Sequence, residues 1–121
     1  MTISILICDD SNMARKHLKS ILPQGWAENS QIVKNGQEAL DVLRTEHIDL
    51  LFLDLTMPVL DGFSVLEIMQ SEGMGVNTIV VSADIQNEAK KTVEASGALD
   101  FIRKPISAGT LINVLNKHNL L

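Results

Sequence analysis

A doubly wound α/β domain, with parallel strands covered by helices on both faces, is what this sequence predicts, and three observations lead there. Short, mostly apolar runs recur at Ile3-Ser4-Ile5-Leu6-Ile7-Cys8, Leu50-Leu51-Phe52-Leu53 and Thr78-Ile79-Val80-Val81. Runs without polar alternation suit strands buried on both faces. Between them lie stretches whose apolar residues stand three and four apart, the period of a helix. Strand and helix signals alternate five times with short links, and a parallel strand needs such a crossover to rejoin its sheet.

The elements follow in order. Ile3 to Cys8 forms the first strand, stopping at Asp9-Asp10. Ser11 or Asn12 caps a first helix with Met13, His17/Leu18 and Ile21/Leu22 inward, and Pro23 and Gly25 end it. A second strand spans Ser30 to Val33; Asn35-Gly36 turns the chain, and Ala39, Leu40 and Leu43 face inward from a second helix. The third strand begins at Leu50 and carries Asp54 at its end, after which Pro58 and Asp61-Gly62 mark a loop and turn. A third helix buries Phe63, Leu66 and Met69 and ends near Gly73. Thr78 to Val81 is the fourth strand, with Ser82 following it. The fourth helix runs from about Gln86 to Ser96, with Ala89 and Val93 inward, and Gly97 stops it. Leu99 to Ile102 is the fifth strand, and Ser107 caps a last helix burying Leu111, Val114 and Leu115. The methionines fit helix interiors. The whole is a flavodoxin-like (βα)5 arrangement with strand order 2-1-3-4-5, one domain over residues 1–121.

Composition narrows the function. A chain of 121 residues, 45% apolar, can bury a core. A net charge of −5 without a basic stripe argues against nucleic acid as a direct partner. Apolar runs are too short to span a bilayer and the N-terminus lacks a signal-peptide pattern, so no membrane association is expected. A single cysteine, Cys8, agrees with a reducing cytoplasm and reads as buried filler.

The chemistry lies at the strand ends. Asp9 and Asp10 follow the first strand, Asp54 the third, Ser82 the fourth and Lys104 the fifth. Parallel strands bring all of these to one edge, where open α/β sheets bind ligands. Three clustered carboxylates repel one another, and a hard divalent cation relieves them. Mg²⁺, which keeps several waters, suits the set, with Asp10 and Asp54 as direct ligands and Asp9 acting through water. Lys104 and the Ser82 hydroxyl suit a phosphoryl oxygen, which leaves Asp54 as nucleophile.

Asp9-Asp10, the stretch Asp54 to Gly62 with Pro58 and Asp61, Ser82-Ala83 and Lys104-Pro105 together resemble the receiver domains of two-component response regulators. The resemblance covers essentially the whole chain. It implies that Asp54 accepts a phosphoryl group from a histidine kinase or phosphotransfer protein. Asp9 and Asp10 would hold Mg²⁺ with the backbone carbonyl of Thr56, and Lys104 and Ser82 would bind phosphoryl oxygens. It further implies a switch in which Ser82 and Phe101 rearrange the surface of the fourth helix, fifth strand and fifth helix for an output partner. Phe101 stands where many members have Tyr, and this chain has no Tyr. Thr56 and Asp84 fall at positions that influence the lifetime of the aspartyl phosphate.

Other readings are weaker. Asp9 could simply cap a helix, and Lys104 could be a solvated lysine. His17, His47 and His118 show no ligand spacing, and Trp26 reads as local packing. A haloacid-dehalogenase-type phosphatase would need a second acid where Thr56 stands. A nucleotide or flavin site would need a glycine-rich turn where Asp9-Asp10 stand. A pseudo-receiver, serving only as an interaction module, would not need Asp10, Asp54, Ser82 and Lys104 together. The chain is either a stand-alone regulator or a receiver cut from a longer one.

Overall fold

Five short parallel strands carry the fold. A computed structural model describes residues 3–83 and 87–121. The strands are β1 (Ile5–Cys8), β2 (Ser30–Val33), β3 (Leu50–Leu53), β4 (Asn77–Ser82) and β5 (Asp100–Arg103). The helices are α1 (Asn12–Ile21), α2 (Gly36–Thr45), α3 (Gly62–Ser71), α4 (Asn87–Ala95) and α5 (Ala108–Lys117). All neighbouring strands pair in parallel, in the order β2-β1-β3-β4-β5 expected from sequence.

Alternation along the strands divides the core into two layers. Leu6, Cys8, Leu51, Leu53 and Val80 point to one face, which is covered by Leu40 of α2, Val65 and Leu66 of α3 and Val93 of α4. Ile5, Ile7, Leu50, Phe52, Ile79 and Val81 point to the other, beneath Leu18 of α1 and Leu111 and Leu115 of α5. Both faces are buried, and β1 and β3 are apolar throughout. That burial explains the unbroken runs in the sequence.

Four helices begin on a side-chain cap. Ser11, Asn35, Asp61 and Ser107 accept hydrogen bonds from the amides of Ala14, Glu38, Ser64 and Thr110, each worth about 1 kcal/mol. Asn35 and Asp61 read as turn residues in the sequence. The same short side chain that closes a turn on the backbone also caps a helix, and here the following glycine is already helical. Gly36 and Gly62 have a second role. A Cβ at Gly36 would overlap the Leu60 carbonyl, and one at Gly62 the Asp54 carbonyl, so α2 and α3 start in direct contact with the loop that follows Asp54.

Several expectations are corrected. Met13 is 83% exposed, whereas Arg15 is buried. The buried stripe of α1 runs through Ala14, Arg15 and Leu18, and Met13 and His17 stand on its exposed flank. Met57 and Met74 lie in links rather than helices. The first strand starts at Ile5 rather than Ile3, β4 takes in Asn77 and Ser82, and β5 is shifted one residue onward to Arg103. A 3-10 helix over Ala27–Asn29 was not anticipated. Trp26, just before it, packs partly buried against the α1/α5 layer, as local packing requires. Gln86, the expected start of the fourth helix, lies outside the described residues, as does Asp84. Among the described residues, no helix is long and apolar enough to cross a membrane.

Candidate functional site

The strand order reverses between β1 and β3, and the two chains leave the sheet there in register. Cys8 pairs with Leu53, so Asp9 and Asp54 emerge side by side. The Asp54 amide donates to the Cys8 carbonyl at 3.0 Å and the Asp9 amide to the Val33 carbonyl at 3.2 Å. Sheet hydrogen bonding therefore extends to the first residue beyond each strand and fixes the backbone of both acids. Their side chains are buried, with Asp9 6% and Asp54 5% exposed. Asp10, one step farther, is exposed. One carboxylate oxygen from each of Asp9, Asp10 and Asp54 lies within 4.8 Å of the others.

β5 delivers the cation. The Lys104 amide donates to the Ser82 carbonyl at 2.9 Å, which places the lysine beside the end of β4, just ahead of a cis Lys104–Pro105 peptide bond. Its ammonium stands 2.7 Å from Asp9 Oδ2 and 3.6 Å from Asp54 Oδ2. The contact to Asp9 is the shorter one. Ser82 closes β4 and is buried at the same edge. Thr56 is exposed in the loop after β3. Phe101 is half-buried and packs against the layer that holds Val80 and Val93. The residues named from sequence thus come to one edge of the sheet, with Phe101 set back along β5.

The cluster is electrostatically tense. Burial, and then the neighbouring Asp9, push the Asp54 carboxyl above its ordinary value, while Lys104 and the amides of Thr56 and Leu55 pull it down. Burial and the same acids push the Cys8 thiol up to about 12, so it stays protonated and unreactive at neutral pH. Three carboxylates face one lysine, which leaves an excess of negative charge on hard oxygen donors. That donor set fits Mg²⁺ better than a softer metal.

Sequence reasoning missed how Asp9 is held. Asp9 Oδ1 accepts from the Ser11 amide at 2.9 Å. The Asp9 carbonyl accepts from Arg15 Nη1 at 2.7 Å, and Arg15 Nη2 reaches Asn12 Oδ1 at 3.2 Å. Helical periodicity gives no hint of a buried arginine; only the need of the Asp9 carbonyl, beyond the end of β1, for a donor could have suggested one. Beside the acids, a crevice of about 440 Å³ opens between α1 and the segment Lys104–Ile106, floored by Ile7, Phe52 and Val81.

The family model of the response regulator receiver domain matches residues 5–116. The chain is 39% identical over 104 residues to protein-glutamate methylesterase/protein-glutamine glutaminase 3 of Rhodospirillum rubrum, a match covering 84% of this chain and 28% of that protein. It therefore spans well under a third of that relative. It is 32% identical over 117 residues to the chemotaxis protein CheY of Bacillus subtilis, covering 97% of this chain and 98% of that one. Among solved structures, the receiver domain of the Francisella response regulator 1452 superimposes with a TM-score of 0.80 at 30% identity, over 98% of this chain and 99% of that one. With the strand order, the acid cluster and these matches in agreement, the chain belongs to the receiver domain family of two-component response regulators.

Proposed function

We propose that this receiver domain is a switch worked by phosphorylation of Asp54, with a histidine kinase or a phosphotransfer protein as donor. The observation that carries the reading is the meeting of Asp9, Asp10, Asp54 and the Lys104 ammonium at one sheet edge. A carboxylate oxygen of Asp54 attacks the phosphorus of a donor phosphohistidine. The new O–P bond forms as the P–N bond breaks, and the imidazole nitrogen keeps the electron pair and takes a proton from solvent. Lys104 and the Ser82 hydroxyl bind the transferred oxygens. Asp10 and Asp54 would hold Mg²⁺ with the Thr56 carbonyl, and Asp9 would act through water. When bound, the ion offsets charge on the phosphoryl group.

The added charge gives Lys104 a stronger partner than Asp9. Because the Lys104 amide is bonded to Ser82, a shift of the lysine is felt in β4 and β5. Phe101 stands three residues earlier on β5 and packs toward α4. The output surface on this reading is α4, β5 and α5, where a partner protein or domain binds. Lacking a phenol hydroxyl, Phe101 acts through its packing alone. The domain takes and loses a phosphoryl group on itself and turns over no separate substrate.

The test is phosphoryl transfer from a labelled phosphohistidine donor. Label should move to the chain only with Mg²⁺, and Asp54→Asn should abolish the transfer while remaining folded. Label that appears on Asp54→Asn as readily as on the unaltered chain would overturn the assignment.

A further inference from the structure

We infer that Arg15 is a positioning residue for the metal-binding acids, acting on them through the peptide group that joins Asp9 to Asp10. The inference rests on the reading of those acids as a Mg²⁺ site. Arg15 is only 8% exposed, yet it lies on the stripe of α1 that carries Leu18 into the core. An apolar side chain would fill that place without the cost of burying a guanidinium. Packing alone therefore gives no reason for an arginine.

Its hydrogen bonds supply the reason. Nη1 donates to the Asp9 carbonyl at 2.7 Å, and Nη2 is held by Asn12 Oδ1 at 3.2 Å. The buried Nε has no acceptor among the described residues, so the fork is oriented to serve Asp9 at the expense of its own satisfaction. The Asp9 carbonyl belongs to the planar unit that ends at the Cα of Asp10. One hydrogen bond to that oxygen thus holds the orientation of the peptide plane to which both acidic residues are attached. The Ser11 amide at 2.9 Å and the Lys104 ammonium at 2.7 Å fix the two carboxylate oxygens of Asp9. Of these holds, the Arg15 bond is the one made to the peptide group that also carries Asp10, which is exposed.

Calorimetric titration with Mg²⁺, beside a thermal melt of each variant, separates this from a general loss of stability. Arg15→Met should weaken Mg²⁺ binding by about 10-fold to 100-fold, as the loss of a supporting contact to a metal ligand does. Arg15→Lys, whose ammonium ends one bond short of Nη1 and keeps an N–H donor, should recover part of that affinity. Asn12→Ala, an exposed change that removes the support of Nη2, should weaken binding by a smaller factor. It decides the matter if Arg15→Met does not fold. Affinity equal to the unaltered chain in Arg15→Met, or in Asn12→Ala where Arg15→Met does not fold, would overturn the inference. Tighter binding in Arg15→Met would overturn it too, because it would show that only the charge matters. If the unaltered chain itself binds no Mg²⁺, the metal reading falls first and the inference with it.

Discussion

Lys104 and Asp9 form an ion pair of 2.7 Å, whereas Asp54 stands 3.6 Å from the same ammonium. The lysine thus neutralises Asp9 more closely than Asp54, the proposed phosphoacceptor. A phosphoryl group on Asp54 would place two negative charges within its reach. The pair with Asp9 is the contact that must yield.

Lys104→Ala should therefore slow phosphoryl uptake by ~10²-fold without abolishing it. It should also disconnect the strand from the modification. The check is the amide spectrum of Ser82 and Phe101 before and after phosphorylation. Shifts in the variant as large as in the unaltered chain would remove Lys104 from the switch.

Asp54→Asn should stabilise the domain at neutral pH in the absence of Mg²⁺. Burial and Asp9 raise the folded pKa of Asp54 above its ordinary 3.8. The folded chain therefore holds that proton over a wider pH range than the unfolded chain. Its contribution to stability is full below 3.8 and is lost as pH rises through the raised value. The amide carries no charge and escapes that loss. Melting temperatures should differ most at neutral pH and converge as pH falls toward 3.8, and Mg²⁺ should narrow the gap by stabilising the unaltered chain alone.

A second carboxylate shows the opposite sign. Burial pushes Asp100 upward, but the His118 hydrogen bond at 2.8 Å, the Phe101 amide, and the charges of Lys117 and His118 outweigh it and hold the group below its ordinary 3.8. The stability it confers is present above 3.8 and is lost as pH falls through the lowered value. Asp100→Asn should cost about 1–2 kcal/mol at neutral pH, measured by urea denaturation. The penalty should vanish in acid. A penalty independent of pH would mean that Asp100 acts by packing alone.

Gly62→Ala tests the contact between α3 and the loop that follows Asp54. The added methyl would meet the Asp54 carbonyl and the Leu55 Cα, both backbone atoms with little room to yield. The expected loss is about 1–3 kcal/mol, with slower phosphoryl uptake because Asp54 is displaced. Gly73, where a Cβ would meet nothing within 4 Å, carries a φ of 68° and serves as the contrast. Gly73→Ala should destabilise through backbone strain while leaving uptake unchanged.

The sheet was legible because burial on both faces demands unbroken apolar runs, and Leu50 to Leu53 or Ile5 to Cys8 satisfy nothing else so well. The meeting of Asp9, Asp10, Asp54 and Lys104 was legible for a related reason: parallel strands send all their carboxyl ends to one edge. The register of α1 was harder to read. Met13 is exposed although it shares a helical spacing with His17, and of the pair His17/Leu18 it is Leu18 that is buried; apolarity alone does not separate adjacent stripes. The buried stripe also carries a polar contact, the Arg15 donor to the Asp9 carbonyl, which apolarity does not signal. The cap roles of Asn35 and Asp61 were hidden similarly, because turns and caps draw on the same residues. The closeness of Lys104 to Asp9 depends on side-chain reach across the two intervening strands, β4 and β3, which no one-dimensional pattern records.

The most direct test of the account is the intact mass of the chain after incubation with Mg²⁺ and acetyl phosphate, with Asp54→Asn treated alongside. The account predicts a single phosphoryl adduct that requires Mg²⁺, is released by hydroxylamine as an acyl phosphate should be, and is missing from the variant. An adduct that survives in Asp54→Asn, or a folded, Mg²⁺-binding chain that takes no phosphoryl group from acetyl phosphate or from a phosphohistidine donor, would contradict it.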